Sequence, residues 1–288
     1  MSRLIDRMTV AGVGLIGGSL ALAARAAGVV GEVTGLGRSE ANLEVARSRG
    51  LVDRVTRDPA VAADADVIVL AVPVGSCAAL ATTLRAHARP GTLLTDVGSV
   101  KAQVVAGLEK AWAGHGPVVG AHPIAGSEEA GASAARADLF RGRRCILTPT
   151  PATDPAALAR VRGLWEAVGA KVEELAPDVH DAILARVSHV PHLVAYALVA
   201  AAAGSRAAGH DLMAYAGSGF RDTTRIAGSP AEVWRDIALA NGPAVLAALA
   251  EFRAALARLE SLVAAGDGAG LEAELAAARA ARRHLRVV

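Results

Sequence analysis

The sequence predicts a two-part α/β protein. A doubly wound, mostly parallel sheet covers residues 1–176, and an all-α segment follows over 177–288. Three observations predict this. The run Gly12-Val13-Gly14-Leu15-Ile16-Gly17-Gly18-Ser19 lies between an apolar stretch, 8–11, and an Ala/Leu-rich stretch, 19–27, with no helix breaker. That is the strand, glycine turn, helix order of a Rossmann-type dinucleotide site. Short β-branched runs then alternate with helix-like stretches, as βαβ units require. From Pro177 onward the β-branched runs vanish and long Ala/Leu/Arg segments replace them.

In order, strands are expected over 10–13, 32–36, 67–72, 92–95, 118–122, 145–148 and 171–175. Helices are expected between them over 16–27, 40–49, 77–88, 100–113 and 155–168. Asp64-Ala65-Asp66 is a polar stop before the apolar run that begins at Val67, and Pro73 ends that strand. Asp154-Pro155 reads as an N-cap followed by a first-turn proline. In the second half, helices are expected over 178–203, 207–215, 231–239, 243–265 and 271–285. Glycine-rich patches at Gly217-Ser218-Gly219 and Gly266-Asp267-Gly268 punctuate them, the first as a polar loop. The last two helices should form a hairpin.

Composition narrows the classes of function. Hydrophobic residues make up 53% of the 288, enough for sizeable cores, and the net charge of +2 argues against a nucleic-acid partner. Two cysteines, Cys77 and Cys145, lie far apart with no CxxC, which fits free thiols in a reducing compartment. No zinc-ligand spacing occurs, so no metal is expected. Asp6 interrupts the basic start and glycines punctuate the apolar run, so no export signal is expected. The apolar run 190–203 is too short by itself to cross a bilayer. A cytoplasmic protein without a membrane association is expected. Ala-rich helices pack closely, which favours a homodimer through the second half.

Ligands of open α/β sheets sit outside the carboxyl ends of the strands. In the glycine run, Gly12 allows the tight turn, Gly14 lets backbone approach a pyrophosphate, and Gly17 lets helix pack on strand. Leu15 and Ile16 open the helix that faces the phosphates. After the second strand, Gly37-Arg38-Ser39 lacks the acidic residue that holds ribose hydroxyls in NAD sites, and Arg38 with Ser39 suits a 2′-phosphate. The cofactor is therefore NADP or NAD, with NADP favoured. Val72 and Pro73 should lie along it. Gly98 and Ser99 should open a helix beside the nicotinamide. His122, between strand end and Pro123, is placed to take a hydroxyl proton as hydride leaves. His189 and His192, three apart on one helix face, should line the opposite side of the cleft. Arg221 or Arg225 should grip an anionic substrate.

With these pieces in place the chain resembles the prephenate/arogenate dehydrogenase family of tyrosine biosynthesis. The likeness is carried by GVGLIGGS (12–19), DVGSVK (96–101), GAHPIAGSEEAG (120–131), HDAILARVSHVPH (180–192) and GFRDTTRIAGSPAEVWRD (219–236). The resemblance implies NAD(P)-dependent oxidative decarboxylation of a cyclohexadienyl acid. It implies His122 as catalytic histidine and Ser99 as the serine beside it. His192 and Arg225 match substrate-binding positions, so the likeness selects Arg225 over Arg221. Asp222 would orient that arginine or the nearby helix. Ser127 stands where many relatives carry threonine, and Gly37 where many carry an acid. No regulatory domain is expected after residue 288 or mutase domain before the glycine run. Two other readings compete. A β-hydroxyacid dehydrogenase would need a lysine in the helical half, which has none after Pro177. A dinucleotide-sensing regulator would leave His122, His192 and Arg225 without a purpose.

Overall fold

The structure is a computed structural model that describes residues 3–126, 129–204, 206–207 and 209–285. Eight strands form one sheet: β1 (Ile5–Ala11), β2 (Val30–Leu36), β3 (Arg54–Thr56), β4 (Val67–Leu70), β5 (Leu93–Asp96), β6 (Val118–Pro123), β7 (Arg144–Thr148) and β8 (Lys171–Glu174). Their order is β3-β2-β1-β4-β5-β6-β7-β8. Every neighbouring pair is parallel except β6 with β7. The helices α1 (Leu15–Ala26), α2 (Glu40–Ser48), α3 (Cys77–Arg85), α4 (Ala102–Trp112) and α5 (Pro155–Ala167) connect the strands.

All four residues of β4 are buried, as expected of a strand covered on both faces. Val67 and Val69 join one apolar cluster, with Leu20, Phe140 and Trp165. Ile68 and Leu70 join the other, with Leu84, Leu108 and Trp112. The alternation is the two-residue period of a strand dividing its side chains between two cores. The chain order reverses between β1 and β4, and the crevice at that reversal is where ligands of such sheets bind.

The helical half contains α6 (Pro177–Leu184), α7 (Val190–Ala203), α8 (Ser218–Thr224), α9 (Ala231–Ala240), α10 (Gly242–Ala265) and α11 (Gly268–Arg282). A π-helical turn, Ala185–His189, joins α6 to α7. Gly266 ends α10 in the left-handed region at φ 64°, and Asp267 caps α11 through the Gly270 amide at 2.9 Å.

The sequence expectation fails locally in five places. β1 begins at Ile5, before the most apolar stretch, because its early residues alternate between buried and exposed. The three-residue edge strand β3 is too short and polar to show in a pattern. No α-helix spans 207–215: Gly209 takes φ 82°, and only a 3-10 turn, Leu212–Tyr215, follows. The polar patch expected as a loop at 217–219 instead opens helix α8. Finally, the run 190–203 belongs to a continuous 27-residue helix, Pro177–Ala203, of mean hydropathy 1.4. Length and composition alone would let that helix cross a membrane, so the length argument does not hold. Its buried histidines and Asp181 tie it to the sheet instead.

Candidate active site

The dinucleotide cradle is explicit in the backbone. Gly12 takes φ 98°, and a Cβ there would lie 2.2 Å from the Ala71 carbonyl oxygen. A Cβ on Gly17 would lie 2.2 Å from the Gly12 oxygen and 2.9 Å from Val10 Cγ1. Gly14 has nothing within 4 Å of its Cβ position. Gly14 is also the N-cap of α1, with no side chain bonding the free amides of the first turn, which includes Leu15 and Ile16. Two glycines are thus demanded by packing, and the third leaves open space before unpaired N–H donors. That geometry fits a pyrophosphate. Asn42 holds the loop from behind: its side-chain amide donates to the Val13 carbonyl at 2.8 Å.

At the end of β2, Gly37 is half-buried and Arg38 and Ser39 are exposed. The Ser39 hydroxyl caps α2 by accepting from the Asn42 amide at 3.2 Å. At the end of β4, Val72 is half-buried and Pro73 exposed, leading into the turn Val74–Ser76. A Cβ on Gly98 would lie 3.0 Å from Val74 Cγ1 and 2.9 Å from Asp96 Oδ2, so glycine is required where these two strand ends converge.

The ends of β5 and β6 are tied by a buried ion pair. Lys101 and Asp96 are both fully buried and bonded to each other. The Lys101 ammonium also donates to the Ala121 carbonyl at 2.8 Å. Asp96 accepts from the Gly98 amide at 2.8 Å and the Ala121 amide at 3.3 Å. Ser99, half-buried, lies between Asp96 and Lys101 along the chain. It does not open α4 as expected: that helix begins at Ala102. Its first amides are capped from the other half of the chain. The Asp181 carboxylate accepts from Lys101 N and Ala102 N, each at 2.8 Å. A negative group at a helix N-terminus is favoured by the helix dipole.

His122 closes β6 beside Pro123, and its ring is half-buried. Its Nδ1 lies 2.8 Å from Nε2 of His180, and the two rings meet edge to face. His180 is fully buried, and its Nδ1 lies 2.8 Å from Asp181 Oδ1. Burial, then the charges of His180, Lys101 and His189, hold the His122 pKa well below the usual histidine value. His122 is therefore neutral near pH 7 and can accept a proton.

His189 and His192 do not share one role. His189 is 1% exposed. The Asn241 amide nitrogen donates to the Asp181 carbonyl at 2.9 Å and to His189 Nδ1 at 3.1 Å. The His189 proton therefore sits on Nε2, and a backbone hydrogen bond at Ser99 supports the ring. Burial pushes this histidine down to about 4. His192 is half-buried and stacks on Trp234, with ring centroids 3.4 Å apart. Its Nδ1 donates to the Ser188 carbonyl at 3.0 Å, which leaves Nε2 as an acceptor. Burial lowers its pKa, and the Arg225 charge lowers it further. Arg225 is exposed in the 3-10 turn that follows α8, and so near His192 that its charge is felt there. Arg221 and Asp222 are exposed on α8, and no ion pair joins Asp222 to Arg225. Ser127 lies outside the described residues.

The geometry is that of a neutral histidine at the carboxyl edge of a dinucleotide-binding sheet, opposite polar side chains from a helical half. Family models cover both halves of the chain. The nucleotide-binding-domain model of prephenate dehydrogenase matches residues 20–174, and its dimerization-domain model matches residues 176–277. The chain belongs to the prephenate dehydrogenase family. It is 35% identical over 267 residues to a cyclohexadienyl dehydrogenase of Zymomonas mobilis, covering 92% of this chain and 91% of that one. Among solved structures, it superposes with TM-score 0.94 at 34% identity on an Aquifex aeolicus prephenate dehydrogenase in complex with hydroxyphenyl propionate and NAD+, covering 99% of each chain. The Synechocystis arogenate dehydrogenase gives 0.82 at 33% identity, covering 96% of this chain and 99% of that one.

Within this member of the family, His180, Asp181, Asn42 and Asn241 were not among the expected site residues. The adjacent pair His180-Asp181 was the available signal. Its meaning was hidden because the sequence does not show that α6 packs on α4. Cys77 and Cys145 are free and buried, and burial pushes both thiols up, Cys77 to about 12, which leaves them unreactive.

Proposed function

We propose that this family member oxidises a cyclohexadienyl acid, prephenate or arogenate, with loss of its ring carboxylate, using NADP or NAD. The observation that carries the reading is His122. It is a neutral imidazole fixed at the end of β6, in the crevice that the glycine turn opens onto. When bound, the nicotinamide supplies the hydride acceptor.

The chain's own residues do the rest. His122 takes the hydroxyl proton of the ring carbinol through Nε2, while the C–O bond becomes a carbonyl and hydride leaves the same carbon. The ring carboxylate then departs as carbon dioxide, its bonding electrons complete the aromatic ring, and the carbonyl oxygen takes back the proton held on His122. A phenol forms, so aromatisation drives the step. Ser99 hydrogen-bonds the reacting hydroxyl region. His192, held against Trp234, presents Nε2 to the substrate, and Arg225 pairs with a carboxylate. Exposed Arg38 and the absence of an acid at Gly37 favour NADP. The domains divide at residue 176, the first binding dinucleotide and the second completing the substrate site.

We also infer a cytoplasmic homodimer. Val179, Ile183 and Val187 recur every fourth residue along the Pro177–Ala203 helix and are 42–69% exposed, and Leu246, Leu256 and Val263 are exposed along α10. Exposed apolar side chains recurring along two helices favour a partner that covers them.

The test crosses each acid with each oxidised cofactor and follows nicotinamide reduction. Turnover with at least one acid, coupled to release of carbon dioxide, is expected. No reduction with either acid would overturn the reading.

A further inference from the structure

A chain of three polar side chains runs from the sheet edge into the helical half: His122, His180 and Asp181. The donors and acceptors along it can be assigned from the outer end. Asp181 Oδ1 and Oδ2 each accept a backbone amide, from Lys101 and Ala102, so this carboxylate acts as an acceptor. The His180 Nδ1 at 2.8 Å must then donate to it. When that is the one proton His180 carries, its Nε2 is bare. The His122 Nδ1 lying 2.8 Å from that atom must therefore be the donor. A neutral His122 with its proton on Nδ1 has its lone pair on Nε2, the nitrogen facing away from His180.

We propose that His180 and Asp181 are positioning residues that lock His122 in the Nδ1–H tautomer, keeping Nε2 bare as the proton acceptor, and that they hold the imidazolium once it forms. The proposal rests on the reading of His122 as the base. It goes further in saying what fixes that base in its working form.

The surroundings make such a device necessary. The titratable and charged groups around the two rings are Asp96 on β5, Lys101 before α4, Cys145 on β7, Asp181 on α6 and His189 in the π turn. Lys101 opposes a positive charge on His122, and Asp96 is bonded to that lysine. Asp181 is the carboxylate that touches the histidine chain. When the substrate O–H bond breaks, its electron pair stays on oxygen and its proton bonds to His122 Nε2. The ring then carries two N–H groups. Its Nδ1–H strengthens its bond to His180 Nε2, and His180 in turn leans on the Asp181 charge. A hydrogen bond with one charged partner is roughly twice as strong as a neutral one.

The test begins with a measurement that needs no turnover. Imidazole nitrogen NMR on the full-length protein should show His122 protonated at Nδ1 and bare at Nε2, with the resonance identified by its loss in His122→Asn. His180→Phe keeps a ring of similar size but removes the acceptor. In it, His122 should populate both tautomers. Its kcat should fall about 10- to 100-fold, less than the 10²–10⁴-fold contribution of the base itself, with KM within about twofold. His180→Gln restores an acceptor oxygen toward Nδ1. It should keep the Nδ1–H tautomer and recover part of the rate.

A wild-type spectrum with the proton on Nε2 would overturn the proposal, and so would His180→Phe and His180→Gln behaving alike in tautomer and rate. If the phenylalanine variant does not fold, the wild-type and glutamine spectra still decide. Full activity in His122→Asn would overturn the assignment of the base, yet leave the tautomer result intact, so the two failures can be told apart.

Discussion

Lys101 offers the sharpest test of how the site is held. It is fully buried, and its ammonium bonds Asp96 and the Ala121 carbonyl. Lys101→Met keeps the length of the side chain and removes the charge. Asp96 is then left as a buried carboxylate supported by the Gly98 and Ala121 amides alone. Breaking a buried pair by removing one partner costs about 3–5 kcal/mol, mostly as the penalty on the stranded charge. For domains of roughly this size each kcal/mol moves Tm by about 2–4 °C, so a fall of about 6–20 °C is expected. Thermal unfolding followed by circular dichroism reads it directly. The companion is the double variant Asp96→Asn/Lys101→Met, which removes both charges and should melt above the single lysine variant, because no lone charge stays buried. A single variant melting within about 2 °C of the parent, or a double variant whose loss is the sum of the two singles, would refute the reasoning. Activity should suffer even in the double variant, since the pair ties the strand ends that carry Ser99 and His122.

His122→Asn should lower kcat by about 10²–10⁴-fold with little change in substrate affinity, as expected on losing a general base; steady-state kinetics with the preferred acid would check this. Arg225→Ala should act mainly on KM, raising it roughly 10- to 150-fold for the loss of a charged hydrogen bond worth about 1.5–3 kcal/mol; an equal effect from Arg221→Ala would reassign the carboxylate partner. Arg38→Ala should weaken NADP far more than NAD in cofactor titrations. Stability should also fall with acid. His189 is held at about 4 against an ordinary 6.5, so between those values the unfolded chain binds a proton that the native state refuses. Its contribution is intact above pH 6.5 and is lost progressively toward pH 4, by about 3 kcal/mol at 1.36 kcal/mol per unit. His122, also depressed, adds in the same direction. A urea midpoint unchanged between pH 7.5 and 4.5 would contradict this.

The sheet was legible because its signals are local. Gly12 turns the chain at φ 98° and Gly17 packs against Gly12 and Val10 within the same strand–turn–helix unit, and a strand such as 67–70 declares itself by four apolar residues in a row. His122 was legible for the same reason, standing at the end of an apolar run and pinned by Pro123. What was not legible depends on contacts between distant segments. Ser99 looks like a helix cap in sequence, yet the cap of α4 is Asp181, 80 positions from the Lys101 amide it accepts. The polar run 217–225 looks like a loop from its glycines, yet Thr223 and Thr224 satisfy their hydroxyls on carbonyls one turn back and the segment winds into α8.

His180 was hidden by helix phase. His189 follows it by nine positions. At 3.6 residues per turn that spacing puts the two side chains about half a turn apart, on opposite faces of a regular helix. A reader who finds His189 and His192 on one face therefore turns His180 away from them. The structure breaks the phase at Ala185–His189, where the wider π turn takes up roughly one extra residue and sets the rotation back by about 100°. His180 and His189 then come close enough to share neighbours. Asn241 bonds the carbonyl of Asp181 and the ring of His189 together. The same turn lets one helix serve two purposes: its first part caps α4 and supports His122, and its second part carries His192 to Trp234. Removing the extra residue should therefore uncouple substrate contacts from the base, even though no atom that touches substrate would be deleted. Deleting Val187, the most exposed apolar residue of the turn at 69%, is the variant that asks for this. If the deletion variant folds, it should keep its dinucleotide affinity and lose turnover; retention of full activity would mean that the phase shift is incidental.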